Sequence, residues 1–143
     1  MKVIRADSID WQPASHEDSA NPGVWKRVLA RRDDLIAGRV QMVNWSRLPP
    51  HASFRPHYHE DMQEVFVIIQ GSVRMDAGGE STTLAAGDLV LIEPGEVHSM
   101  VNLNDAPAEY LVFGVSAETG GRTVVIGIEG EQAKPVNGAK SND

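Results

Sequence analysis

Two short stretches of this 143-residue chain combine residue types and spacings suited to metal chemistry. The first is His57-Tyr58-His59-Glu60-Asp61-Met62-Gln63-Glu64; the second runs from Gly87-Asp88 through Glu93-Pro94-Gly95-Glu96-Val97-His98 to Asn102. In an extended strand, residues two apart point to the same face, so His57 and His59 project to one side, close enough to share a cation. Glu64 opens the next apolar run after a four-residue connection, and hairpin pairing would return it beside the histidines. His98 directly follows a Pro-Gly turn, where the first inward strand position lies close to a barrel mouth. Three imidazoles and one carboxylate then converge on one point. That donor set suits Fe, Mn, Ni, Cu or Zn and is poor for Ca or Mg, which prefer oxygen.

The remaining polar residues of these stretches have plainer readings. His16 and His51 stand alone and read as surface or hydrogen-bonded histidines. Glu60 and Asp61 lie in the connection and read as solvated carboxylates. Gly71, Gly87 and Gly95 read as turn residues that allow positive φ. Tyr58 alternates away from the histidines and reads as packing. The sequon Asn44-Trp45-Ser46 sits in a strand-like run, where chance is the better explanation.

Such a constellation needs rigid elements, and from Gly38 onward the chain is a succession of short β-type runs with almost no 3.6-residue periodicity. Strands are expected at 39–48, 53–59, 64–70, 72–77, 81–84, 89–93, 98–102, 109–115 and 122–128. Turn chemistry separates them at Pro49-Pro50, Gly71, Gly78-Gly79, Ala86-Gly87-Asp88, Pro94-Gly95, Asn104-Asp105-Ala106-Pro107 and Gly120-Gly121. This rhythm points to an antiparallel sandwich or barrel. Before it, 8–23 reads as a polar lead-in draped on the surface, and 24–28 as an apolar and basic run ahead of the charged turn Arg31-Arg32-Asp33-Asp34. Val65-Phe66-Val67-Ile68-Ile69 is apolar on both faces, so either the N-terminal segment or a second subunit must cover its outer side.

Composition narrows the function. With 13 Lys and Arg against 20 Asp and Glu, the net charge of -7 disfavours nucleic acid and anionic membrane surfaces, which want a basic face. The absence of cysteine excludes a disulfide framework, a thiolate nucleophile and Fe–S ligation. No window has the apolar length of a membrane span, and the first residues lack the pattern of a secretory signal, so a cytoplasmic protein is expected.

The two stretches resemble the two motifs of the cupin superfamily, small jelly-roll barrels with an internal metal site. The first family motif, G-x5-H-x-H-x3,4-E-x6-G, is matched from His57 through Gly71, with His51 where the leading glycine would stand. The second, G-x5-P-x-G-x2-H-x3-N, is matched at Gly87, Gly95, His98 and Asn102, with Glu93 at the proline position and Pro94 just after it. The resemblance covers about 39–115 and implies an all-β double-stranded β-helix, or jelly-roll barrel. It implies His57, His59, Glu64 and His98 as the ligands of one divalent transition metal ion per chain, Fe, Mn, Ni, Cu or Zn. Four protein ligands on an octahedral ion leave two positions for water, O2 or substrate oxygens, and Glu64, if displaced, would serve as a catalytic base.

Strand parity extends the site into a substrate pocket. Phe66 and Ile68 share the face of Glu64, Met100 and Asn102 that of His98, and Arg55 that of His57, where it would hold a substrate carboxylate or pair with Glu60 or Asp61. The expected organisation is a lead-in segment over 1–38, a cupin barrel over 39–128 and a flexible tail over 129–143, assembled as a homodimer. The expected function is that of a metal-dependent enzyme on a small organic substrate. A quercetinase-like or other ring-opening dioxygenase reaction comes first, and an isomerase, lyase or decarboxylase next. The competing class is a non-catalytic small-molecule-binding barrel, since one fold serves many functions.

Overall fold

The computed structural model describes residues 2, 4–35, 39–116, 122–127 and, for the backbone alone, 134–135. Twelve strands and two 3-10 turns, Ala6–Ser8 and Arg32–Asp34, make up its regular structure. The strands are β1 (Gln12–Pro13), β2 (Trp25–Arg31), β3 (Val40–Leu48), β4 (His57–His59), β5 (Met62–Gln70) and β6 (Ser72–Ala77), followed by β7 (Glu80–Ala85), β8 (Leu89–Ile92), β9 (His98–Val101), β10 (Ala108–Ser116), β11 (Thr123–Val125) and β12 (Lys134–Pro135). They form two six-stranded sheets, in the orders β1-β2-β3-β10-β5-β8 and β12-β11-β4-β9-β6-β7. All pairings are antiparallel, and the two sheets enclose one core, a jelly-roll β-barrel.

Alternation places the core. Along β10, Ala108, Tyr110, Val112, Gly114 and Ser116 face inward while their neighbours are half-buried. The first sheet contributes Leu48, Phe66, Ile68 and Tyr110, and the second Val73, Met75 and Met100, with Phe54 between β3 and β4. Turn chemistry acts as the sequence suggests: Gly78-Gly79, both at positive φ, closes the β6–β7 hairpin between the paired Ala77 and Glu80.

Three features differ from expectation. The expected strand 53–59 is only His57–His59, because Pro56 and the exposed Phe54-flanking residues leave a single bridge, Ser53 to Val101, ahead of it. The segment before Arg39 supplies two strands, and β2 pairs with β3 along most of its length, so the core is built partly from the lead-in. Its pattern of alternate buried positions, Lys26 and Val28, was masked in sequence by the flanking basic residues. The expected β4–β5 hairpin does not form. The short Glu60-Asp61 connection carries the chain from one sheet to the other, and Glu64 faces the histidines across the barrel.

The outer face of the first sheet is covered unevenly. Trp11 stacks on the guanidinium groups of Arg27 and Arg47, 4.5 and 4.4 Å from its ring centre, and Arg47 forms a fork with Glu109 at 2.8 and 2.9 Å. On the β5–β8 side, Val65 is buried but Ile69, Leu89 and Leu91 are exposed. Of the expected tail, only the backbone of β12 is described, and the rest of 129–143 lies outside the described residues. No helix among the described residues is long and apolar enough to cross a membrane.

Candidate metal centre

His57, His59, Glu64 and His98 are all buried, and one donor atom from each lies within 4.8 Å of the other three. The second sheet supplies the imidazoles and the first the carboxylate. β4 and β9 pair with His57 directly opposite His98, and the period-two alternation of β4 puts His59 on the same inner face. The turn before β9 is held by Gly95, at positive φ, whose N–H donates to the carbonyl of His59 at 2.7 Å, so one backbone bond couples the two motifs. Glu64 stands opposite Gly114 on β10.

Each ring nitrogen remote from the centre is anchored. His57 and His98 donate Nδ1–H to the carbonyls of Arg55 and Glu96, at 2.7 and 3.0 Å. The Nδ1 of His59 lies 3.0 Å from the hydroxyl of Thr123, on the paired strand β11. A carbonyl only accepts, so His57 and His98 each hold a proton on Nδ1, and Nε2 is the atom that each turns to the centre. Glu64 lies between two of them, with Oε1 2.8 Å from Nε2 of His59 and Oε2 3.2 Å from Nε2 of His98.

Burial pushes the Glu64 carboxyl up, but the neighbouring His59 and His98 outweigh it and hold the group well below the usual carboxylate range. Burial, with His16 and His98 beside it, holds His57 well below the ordinary histidine value. Burial alone would lower His98 too, but its bond to Glu64 raises it. The centre is therefore a neutral His57 beside a carboxylate paired with imidazoles.

The donors fit a borderline divalent metal. Nε2 of His59 is buried and, although 2.8 Å from Glu64 Oε1, lacks a hydrogen bond of acceptable geometry. Separations of 2.8 and 3.2 Å match adjacent ligands of one ion, each about 2.1 Å from it, for which an edge of about 3 Å is expected. Three nitrogens and one oxygen with engaged outer nitrogens are the donors such an ion needs.

A cavity of about 50 Å³, room for a few water-sized groups, opens onto the centre. His57, His59, Glu64, Phe66 and Thr123 line it, joined by His16, Lys26 and Asn44. Among the expected pocket residues, Phe66 reaches the cavity. Ile68 and Met100 are buried in the core away from it. The Asn102 amide is spent on the carbonyls of Leu48, Pro49 and Ala106, which ties the loop ahead of β10. Arg55 is exposed, and its contribution is the carbonyl that holds His57. His51, exposed and hydrogen-bonded to Asp105, lies away from the centre.

Thr123, Lys26, Asn44 and His16 were not legible as site residues. The ring of His16 stacks on that of His57, with centres 4.2 Å apart and planes 23° from parallel, which brings the N-terminal segment onto the site. Only the burial of Lys26 in a basic run and the hydroxyl of Thr123 in an apolar run were anomalous, and neither spacing points to a partner far along the chain.

Two facing antiparallel sheets around a buried cluster of three histidines and a glutamate define a jelly-roll barrel with a candidate metal centre. A family model for the cupin domain matches residues 44–114, the stretch that holds all four of these residues. The chain belongs to the cupin superfamily. An oxalate-binding protein from Thermotoga maritima is 32% identical over 78 residues, which span 54% of this chain and 64% of that protein, under two thirds of its length. The crystal structure of a predicted oxalate decarboxylase, also from Thermotoga maritima, superposes with a TM-score of 0.72 at 24% identity, over 80% of this chain and 99% of that one. A sugar phosphate isomerase of the cupin superfamily from Silicibacter pomeroyi gives 0.69 at 23% identity, over 96% and 94% of the two chains. At such identities the structural likeness speaks for the fold alone.

Proposed function

We propose that this barrel binds one divalent transition metal ion through His57, His59, Glu64 and His98 and acts as a metal-dependent enzyme on a small organic molecule. The observation that carries the reading is the convergence of three imidazole nitrogens and one carboxylate on a buried point beside a cavity. A bound ion would supply Lewis-acid or O2 chemistry to substrate oxygens. The chain's own residues supply the rest: Arg55, Glu96 and Thr123 fix the rings, Phe66 excludes water, and Glu64 holds a negative charge that offsets the ion's. A dioxygenase-like reaction comes first, with metal-dependent isomerase, lyase or decarboxylase chemistry next. The size of the cavity favours a compact substrate over a flavonol.

Elemental analysis of protein purified without chelators tests the reading. Near-stoichiometric metal is expected, with loss in His59→Ala and in His98→Ala while the β circular-dichroism signal persists. Full metal retention by either variant would overturn the ligand set. O2 uptake with catechol or short keto acids separates the oxygenase branch from the others. A second reading, non-catalytic binding of a small anion, is favoured by the relative named an oxalate-binding protein. Tight binding without turnover would select it.

A further inference from the structure

We propose that Asn44 is the ligand-selecting residue of the barrel, its side-chain amide accepting a hydrogen bond from a hydroxyl of a small chelating ligand whose other oxygens reach the metal centre; this rests on the reading of the cavity as the ligand site of that centre. Asn44 is 3% exposed, lines the same cavity as the histidines and Glu64, and its Oδ1 has no hydrogen-bond partner among the described residues. A buried amide oxygen without a donor destabilises the folded state, so such a group calls for a ligand or ordered water to complete it. Register explains why the protein does not complete it. On the inner face of the first sheet, Asn44 pairs with Val28 on one side and Val112 on the other, both buried and apolar. Along β3 the cavity is lined by Met42 and Ser46, and the Ser46 hydroxyl is hydrogen-bonded with the phenol of Tyr110. Elsewhere in the lining, Thr123 holds His59, the Gln41 amide nitrogen donates to the carbonyl of Arg39 at 2.9 Å, and His16 and Lys26 have interactions of their own.

The position of this acceptor relative to the centre sets the ligand class. Asn44, Val112 and Phe66 form one row across β3, β10 and β5, and Met42, Gly114 and Glu64 form the next. Glu64 therefore lies one row along and two strands across from Asn44, about 12 Å between Cα atoms by strand geometry. Both side chains line the cavity, whose volume of about 50 Å³ admits only a short molecule between them. An ion held by four protein groups keeps two positions for an oxygen pair of that molecule. At the far end, an acceptor rejects a carboxylate oxygen and is left unpaired by a methyl group, whereas a hydroxyl donates to it. A chelating oxygen pair at one end and a donating hydroxyl at the other describe a short polyhydroxylated chelator, of which a dihydroxy acid is the simplest.

Calorimetry on metal-loaded full-length protein tests this with glycerate, lactate and 3-fluorolactate, each as separate enantiomers. The three share the chelating α-hydroxy acid and differ at the far carbon, where glycerate has a hydroxyl, lactate a hydrogen and 3-fluorolactate a fluorine that cannot donate. Wild-type protein is expected to bind the preferred enantiomer of glycerate about tenfold or more tighter than either analogue. Asn44→Leu, which matches the amide in size and removes the acceptor, should keep the metal content and bring the three affinities within about twofold of one another. Asn44→Ala carries the same expectation if Asn44→Leu does not fold, and the comparison of glycerate with 3-fluorolactate on the wild type needs no variant. Equal affinities in the wild type, a glycerate preference that survives in the variant, or a metal-loaded wild type that binds none of the three would each overturn the assignment. Wild-type protein that takes up no metal yet prefers glycerate in an Asn44-dependent way would uphold Asn44 while removing the metal-enzyme reading, and protein that binds neither metal nor glycerate would remove both.

Discussion

The hydroxyl of Thr123 is the residue-scale device that a list of ligands leaves out. It meets Nδ1 of His59 at 3.0 Å, and it alone among the three anchors is a side chain that substitution can remove. Thr123→Val keeps the shape of the side chain and deletes the partner. Metal affinity is expected to fall about 10- to 100-fold, because a ligand ring without its outer hydrogen bond loses both orientation and basicity. Competition with a fluorescent chelator reads this directly, and an unchanged affinity would show that Thr123 is packing alone.

His51 offers a different residue-scale lesson. It stands where the first motif has glycine, and its φ is 59°, the left-handed region in which a Cβ is strained. The exposed pair with Asp105, 2.7 Å long, adds little to stability at the surface. His51→Gly is therefore expected to stabilise the fold by about 0.5–1 kcal/mol, seen as a higher denaturant midpoint with unchanged slope. His51→Ala, which keeps the Cβ, should not. The motif position was legible as a departure from the family pattern; that the backbone still adopts glycine's conformation was not.

At the scale of elements, the N-terminal segment does more than drape over the barrel. Gly23 packs where a Cβ would overlap the carbonyl oxygen of Ser53, and its N–H is held by Glu17 at 2.9 Å. This contact delivers β2, and with it Lys26, to the first sheet. Gly23→Ala is expected to destabilise the protein by about 1–3 kcal/mol, since backbone cannot move aside as a flexible side chain would. Thermal unfolding checks it. The β-runs after residue 38 were readable because turn residues and alternation are local signals. The strand β2 was not, since its inward lysine breaks the alternation, and the β4–β5 hairpin was wrongly expected because loop length does not say which sheet the next strand joins.

For the whole molecule, the centre joins the two sheets, so a bound ion staples one to the other. An ion held at 100 times its dissociation constant adds about 2.7 kcal/mol to the folded state. Removing it with a chelator is expected to lower Tm by about 5–10 °C, and readdition to restore it. A Tm indifferent to chelator would mean that no ion bridges the sheets. Exposed Ile69, Leu89 and Leu91 on the open side of the first sheet support the proposal of a homodimer, and light scattering that returns a monomer mass would remove it.

By itself the sequence determined the class of fold, the four residues of the buried cluster and the family, because these rest on alternation, turn residues and short spacings that act within a few residues of each other. Tertiary structure alone decided that Glu64 meets the histidines across the barrel, that Thr123 anchors His59 from 64 residues away, and that Lys26, not Arg55, faces the cavity. The physical reason is that sheet order and register are set by the packing of distant strands around a common core, and no local pattern encodes which distant strand will be the neighbour.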